Sequence, residues 1–240
     1  MSDRIGCMSP ANAAYVIKNN PEINPVKIEI CPNSIEIQEE TNEDSNYLEI
    51  KKGLGIQNGM RVFIYGGNLG KPQGIDFLIK LLDAQCNSKD SFFIIIGSGT
   101  QYPKLEKWYC QKKPENIILK PYLPKKDYDK YVQISDIGLI FLDYNFSIPN
   151  YPSRLLSYLE SKKPILAITD INTDIGPNAE SEKYGFWSPS NDVDIANKSI
   201  QKYCSMTKDE IEQMGTNGYN YLKEHFTVAL SYNIIMNNKS

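Results

Sequence analysis

The stretch at residues 148–170, "IPNYPSRLLSYLESKKPILAITD", runs from a loop into a helix and then into an apolar strand. Pro152 fits an early helix position, with Asn150 or Tyr151 available to cap. The backbone amides near Ser153, Arg154 and Leu155 would then lack intrahelical partners. Free amides, the helix dipole, the Ser153 hydroxyl and the Arg154 guanidinium together make a seat for a phosphate. An ordinary capped helix with Arg154 in solvent would use the same residues.

Two glycine-rich turns could take part. In "YGGNLGKPQG", Gly66 and Gly67 allow close backbone approach, Lys71 adds positive charge, and Asn68 and Gln73 can donate hydrogen bonds. This is a diphosphate cradle or a plain strand–helix turn with a solvated Lys71. The loop alone favours the plain turn. It matches neither G-x-G-x-x-G nor the Walker lysine pattern. "GSGTQY", at 97–102, supplies G-x-G only and reads as a tight turn.

Other reactive side chains take ordinary readings. His225 is the single histidine, so neither a metal cluster nor a Ser-His-Asp triad is supported. Asp170 and Asp174 in "TDINTDIG" could face a substrate. Thr173 as a helix cap with Asp174 in the first turn explains them equally well. Trp108, Trp187 and most tyrosines read as packing residues.

The elements that must hold these residues alternate. "RVFIYGG", "SFFIIIGSG", "NIILK", "DIGLIFL" and "PILAIT" are strands, and amphipathic segments such as "IDFLIKLLDAQ" and "KDYDKYVQIS" lie between them. Near-continuous apolar strands separated by helices indicate an α/β fold, a doubly wound parallel sheet covered on both faces, from Met60 to about Trp187. Thr207 with Glu210 is a capping-box start for a long helix, and a second terminal helix is expected after Thr227. Before the sheet, "RIGCMS" and "VKIEICPNSIEI" read as strands around the helix "PANAAYVIKNN". The acidic "QEETNEDSN" reads as an exposed linker.

Composition narrows the function. With 41% hydrophobic and 23% charged residues, the 240-residue chain is expected to fold as a packed globule. A net charge of −3 argues against a nucleic-acid partner. Five cysteines, without a C-x-x-C pair, suit reduced thiols. No apolar run approaches the roughly 20 residues of a membrane span, and "MSDRIGCMSP" lacks signal-peptide features. A cytoplasmic protein is expected.

Six segments in order, "MSPANAAYV", "YGGNLGKPQGIDFL", "GSGTQ", "PNYPSRLLSYL", "KKPILAITD" and "NTDIG", resemble the C-terminal, donor-binding half of a GT-B retaining glycosyltransferase of family GT4 (group 1). The chain is similar in particular to bacterial capsule and O-antigen aminosugar transferases. The resemblance implies a remnant of an N-terminal domain plus connector at 1–45, a Rossmann-like donor domain at 46–206, and helices at 207–240 packing back toward the N-terminal side. It implies donor contacts at Gly67, Asn68, Lys71, Gln73 and Gly74, at Tyr122 in the base-reading turn "PYLP", and at Tyr151, Pro152, Ser153, Arg154, Leu155 and Ser157. The family's phosphate-binding arginine falls on Asn68 and its lysine on Gln73, with Lys71 supplying charge from a shifted position. Its paired glutamates fall on Pro149 and Ser157, so Ser157 would give the ribose a weaker hydrogen bond.

The implied activity is retaining transfer of a sugar, an N-acetylated aminosugar, from a UDP-linked nucleotide-sugar to a cell-surface polysaccharide or lipid-linked glycan. It would need no metal, no further cofactor and no protein nucleophile. The expected partners are the nucleotide-sugar, the glycan acceptor, and either a separate chain carrying the acceptor domain or a second copy. Acceptor or partner would hold the protein at the inner face of the membrane. Two alternatives stand beside this. One is a non-catalytic nucleotide-sugar-binding module or inactive truncated transferase. The other is a UDP-sugar 2-epimerase-like enzyme, for which no suitable carboxylate and histidine placement is evident.

Overall fold

The structure is a computed structural model that describes residues 3–38 and 47–237. Most of the acidic linker and the expected boundary at 45/46 lie outside the described residues. The chain opens with β1 (Ile5–Cys7), α1 (Pro10–Asn19) and β2 (Ile28–Ile30), in which the two strands pair in parallel. Ser9 caps α1 by accepting from the Asn12 amide at 3.3 Å. After α2 (Tyr47–Gly53) comes the main sheet. It is built from β3 (Arg61–Asn68), α3 (Ile75–Gln85), β4 (Ser91–Ser98), α4 (Tyr102–Lys112), β5 (Ile117–Lys120), α5 (Lys125–Ile134) and β6 (Ile137–Phe141). It continues through α6 (Arg154–Glu160), β7 (Ile165–Thr169), α7 (Ile175–Ser181), β8 (Gly185–Pro189) and α8 (Val193–Ser205). Helices α9 (Lys208–His225) and α10 (Val228–Asn237) close the described chain.

The six strands are all parallel, in the order β5-β4-β3-β6-β7-β8. This is the doubly wound α/β sheet the alternation of apolar strands and amphipathic helices implies. Each strand is apolar throughout because both faces are covered. On one face Phe63 stacks on Phe93 at 5.1 Å, under α3 and α8. On the other, Ile64 and Ile94 pack under α5, α6 and α9.

Strand order reverses between β3 and β6, and there the sheet forks. β3 runs in register with β4 through eight pairs, to Asn68 with Ser98. Against β6 its register holds only at Phe63–Ile137 and Ile64–Gly138. Past Ile64, β3 follows β4 while β6 follows β7, so a crevice opens at the carboxyl ends, where doubly wound sheets take ligands.

Local starts explain the helices that frame it. α9 begins with the expected capping box: Glu210 accepts from the Thr207 amide at 2.7 Å, and Thr207 accepts from the Glu210 amide. Two expectations need correction. Asp174, not Thr173, occupies the cap position of α7, because the Thr173 hydroxyl is engaged at 2.7 Å with the Asn150 carbonyl. Ser153 is the residue before α6, in an αR conformation without a side-chain cap bond. Pro152 therefore precedes the helix, and neither Asn150 nor Tyr151 caps it.

The opening segment is docked on this framework. Asp174 accepts from the Ala11 amide at 3.0 Å, and Asn12 donates to the Pro149 carbonyl at 3.2 Å. Ile35 donates to the Phe226 carbonyl at 2.9 Å and accepts from the Val228 amide at 3.2 Å, tying the connector to the turn between α9 and α10. No helix of the described residues is long and apolar enough to cross a membrane.

Among the glycines of the described strands, the one with least room for a side chain lies beside the fork. A Cβ on Gly97 would sit 1.9 Å from the Gly67 carbonyl oxygen. Gly97→Ala is expected to push β3 and β4 apart and to destabilise the fold by about 1–3 kcal/mol. Urea unfolding should show a lower midpoint at an unchanged m-value.

Candidate functional site

The fork opens into a cavity of about 730 Å³. Its floor is the end of β3, with Gly66, Gly67 and Asn68. One wall is the β5–α5 turn with Tyr122 and the start of α5 with Tyr128, and the other is the start of α6 with Ser153, Arg154 and Ser157.

Arg154 is the central group. Its guanidinium carbon lies 4.3 Å from the centroid of the Tyr65 ring, within cation–π range. Nη1 is buried and has no hydrogen-bond partner among the described residues. A Cβ on Gly67 would come within 2.9 Å of Nη2 and 3.1 Å of Nη1, and Gly67 has φ +132°. Any other residue there would be strained and would displace the guanidinium. The Tyr65 hydroxyl donates to the Asn68 carbonyl at 2.6 Å. Burial pushes its pKa up, with the adjacent Arg154 charge acting against that.

The β3 loop is fixed by Gln73. Its buried side-chain oxygen accepts from the Gly70 amide at 3.1 Å and from Asn68 Nδ2 at 3.0 Å. Gln73 thus shapes the loop while also facing the cavity. Three residues expected in the site are not among those lining it. Lys71 starts a single 3₁₀ turn and is exposed, so its charge is directed to solvent. Gly74 ends that turn at φ +62° against the backbone of Asp143, and serves the start of α3. The Leu155 side chain is fully buried, and its amide donates to the Pro152 carbonyl at 3.1 Å, so it is not a free donor.

The remaining expected residues converge. Tyr122 is 70% exposed and forms the rim. Tyr151 is buried, and its hydroxyl accepts from Asn178 at 3.4 Å. Pro152 and Ser153 lead into the helix, and half-buried Ser157 faces the cavity near Arg154. Among the described lining residues there is no Asp, Glu or His. His225 lies elsewhere, its ring tilted against Tyr221 at 4.4 Å beside a second hollow of about 390 Å³.

Two groups that sequence reasoning treated as packing sit at the floor. The buried Tyr158 hydroxyl accepts from the Gly66 amide and donates to the Ile64 carbonyl, each at 3.2 Å. Tyr128 donates to it at 3.3 Å. The available signal was spacing: Tyr158 follows Arg154 by four residues, on the same side of one helix.

A buried turn braces the crevice from behind. Asp170 is fully buried, and Oδ1 accepts from the amides of Asn172 at 2.7 Å and Thr173 at 3.1 Å. That turn holds Thr173 where its hydroxyl grips the Asn150 carbonyl, in the loop that delivers Arg154. Asp170 Oδ2 is buried without a partner.

Fold and crevice together define a Rossmann-like half of the GT-B class. HepE of Anabaena, solved in complex with UDP, superposes at TM-score 0.81 with 15% identity, over 99% of this chain and 64% of that one. The same protein in complex with UDP-glucose gives 0.79 at 16% identity, over 99% and 64%. Residues 46–221 match the family Glycosyl transferases group 1, and the chain belongs to that family. It is 22% identical over 189 residues to "Probable glycosyltransferase WbjE" of Pseudomonas aeruginosa, covering 79% of this chain and 45% of the relative. It is 22% identical over 141 residues to WcaI of Escherichia coli, named for colanic acid biosynthesis, covering 58% and 34%. The chain thus spans less than half the length of these curated relatives.

Burial raises the Asp170 pKa, against the two amides that pull it down. The native state then holds this proton more tightly than the unfolded chain, whose carboxyl titrates near 4. The stabilisation is complete below about pH 4 and is lost as pH rises through the folded value. Asp170→Asn keeps an acceptor for both amides and is expected to abolish that fall. Urea midpoints compared across pH 4–7 should decline in the parent and flatten in the variant.

Proposed function

We propose that the crevice binds the diphosphate of a nucleotide-sugar and that the chain is the donor-binding half of a retaining glycosyltransferase. One observation carries the reading: a buried guanidinium nitrogen without a partner, facing a cavity at the switch point of the sheet. A group taken out of water in this way calls for an anionic hydrogen-bond acceptor. Membership of the glycosyl transferase family and the UDP bound by HepE support a nucleoside diphosphate as that anion.

In transfer, the bond from the sugar's anomeric carbon to the β-phosphate oxygen breaks, and negative charge builds on the diphosphate. Arg154, held in place by Tyr65 and Gly67, stabilises that charge without reorganising. Ser153 adds a hydroxyl at the same wall. Retention follows if the acceptor hydroxyl attacks from the face the diphosphate leaves, giving up its proton to a departing oxygen. In this reading α9, which packs on α6, and α10 lie toward the side where an acceptor domain would close. Closure would exclude water from the crevice. The acceptor in this reading is a surface polysaccharide or lipid-linked glycan, which the colanic acid biosynthesis in the name of WcaI supports, and the N-acetylated aminosugar rests on the sequence resemblance alone.

The cavity lining favours a second reading as well. With no carboxylate on it among the described residues, and with Pro149 and Ser157 where the resemblance places glutamates, the chain would bind nucleotide-sugar without turnover. Sugar transfer assayed with and without candidate acceptor-domain chains separates the two.

Arg154→Ala is expected to weaken UDP by about 10- to 100-fold, the value of one or two charge-assisted hydrogen bonds. Uridine affinity should stay within about twofold of the parent. Isothermal titration of both ligands reads this. An equal loss for UDP and uridine would remove Arg154 from the diphosphate.

A further inference from the structure

Tyr158 has its hydrogen-bonding capacity filled. A phenolic hydroxyl has one proton and two lone pairs. The Tyr158 proton goes to the Ile64 carbonyl, and its lone pairs accept from the Gly66 amide and from Tyr128. This arrangement fixes its neighbour. The Tyr128 proton is committed to Tyr158, so its oxygen has only lone pairs to offer elsewhere.

Tyr128 is also locked in place. A Cβ on Gly66 would lie 2.2 Å from its hydroxyl oxygen and 2.3 Å from the attached ring carbon. The ring therefore lies over a glycine in the cavity floor, and Tyr128 itself lines the cavity. It stands on the first turn of α5, after Tyr122 and Leu123, and its hydroxyl reaches Tyr158 on α6, the helix that carries Arg154. Burial pushes the Tyr128 pKa up, so it remains a neutral phenol at physiological pH.

Resting on the diphosphate assignment above, we propose that Tyr128 is a specificity-determining residue whose hydroxyl oxygen accepts a hydrogen bond from a ribose hydroxyl of the bound nucleotide. With the diphosphate on Arg154, the nucleoside extends toward the β5–α5 wall. The donors it carries there are the ribose diol and one base N–H. An acceptor preset by Tyr158 suits a hydroxyl that must donate, and it rejects a sugar lacking that hydroxyl because the oxygen would be left unpaired. Phosphate gains nothing from it, since a phosphate oxygen has no proton to give.

The test is titration of UDP, 2′-deoxy-UDP, 3′-deoxy-UDP and pyrophosphate against the parent and Tyr128→Phe. The parent should bind UDP about tenfold more tightly than one of the two deoxy analogues. Tyr128→Phe should bind UDP about tenfold more weakly, bind that analogue as the parent does, and leave pyrophosphate unchanged. Thermal melting of the variant serves as a check on folding, and the parent's discrimination among the analogues needs no variant. The proposal is overturned if the parent binds all three nucleotides alike. It is also overturned if Tyr128→Phe discriminates as fully as the parent, or if it loses affinity for all three equally. Failure of the parent to bind both UDP and pyrophosphate is a different result, which overturns the diphosphate assignment itself.

Discussion

A guanidinium nitrogen removed from water and left unpaired, Nη1 of half-buried Arg154, raises the free energy of the folded chain, and the crevice is organised around that penalty. Stacking on Tyr65 offsets part of it, by about 0.5–2 kcal/mol for a cation over an aromatic face. The rest is left for a ligand to relieve. Tyr65 can serve because its own hydroxyl is held by the Asn68 carbonyl, which sets the ring at the end of β3. Gly67 can flank the group because it carries no side chain to collide with it. Arg154 is therefore preorganised: its orientation is fixed before any anion arrives, and little rotamer entropy remains to be lost on binding.

The same region shows why the sheet must fork. A cavity at the end of a parallel sheet requires two neighbouring strands to part without exposing unpaired backbone. Here β3 keeps β4 as its partner while β6 keeps β7, and the Gly66 amide, at the parting, is taken by the Tyr158 hydroxyl. A side chain from the covering helix thus replaces a strand as hydrogen-bond partner. Tyr158, Tyr128 and Gly66 are consequently one unit: the helix residue satisfies the backbone, its neighbour covers the glycine, and the glycine leaves room for both.

The sheet was legible in the sequence because strands buried on both faces are apolar without interruption, and the capping box at Thr207 was legible because it depends on residues three apart. The site was legible where backbone geometry needs a special residue, as at Gly67, and where a charge sits at a helix start, as at Arg154. It was not legible where a side chain had two possible duties. Thr173 can cap a helix or hold the Asn150 carbonyl, and only the turn built on Asp170 decides for the second. Lys71 has the right charge, yet the 3₁₀ turn directs it outward. Tyr128 and Tyr158 read as core because an aromatic on an amphipathic helix packs inward, and the value of their hydroxyls depends on a glycine some 60–90 positions earlier.

The cations at the crevice also bear on how transfer could proceed: among the described residues Arg154 stands unpaired at the α6 wall, while Lys125, which also lines the cavity, has its charge paired with Asp129 at 2.8 Å. A nucleoside diphosphate carries two to three negative charges near neutrality, and one guanidinium leaves it with net negative charge. An oxygen so placed keeps enough basicity to take a proton from an attacking hydroxyl, whereas several cations would quench it. Had Lys71 faced the cavity, it would have strengthened binding while weakening that base. With no carboxylate on the lining among the described residues, the leaving group is the nearest base this wall supplies. On the donor reading, then, the turn that points Lys71 away and the stacking that holds Arg154 in serve one end: they bind the diphosphate firmly enough to orient it and leave it charged enough to act.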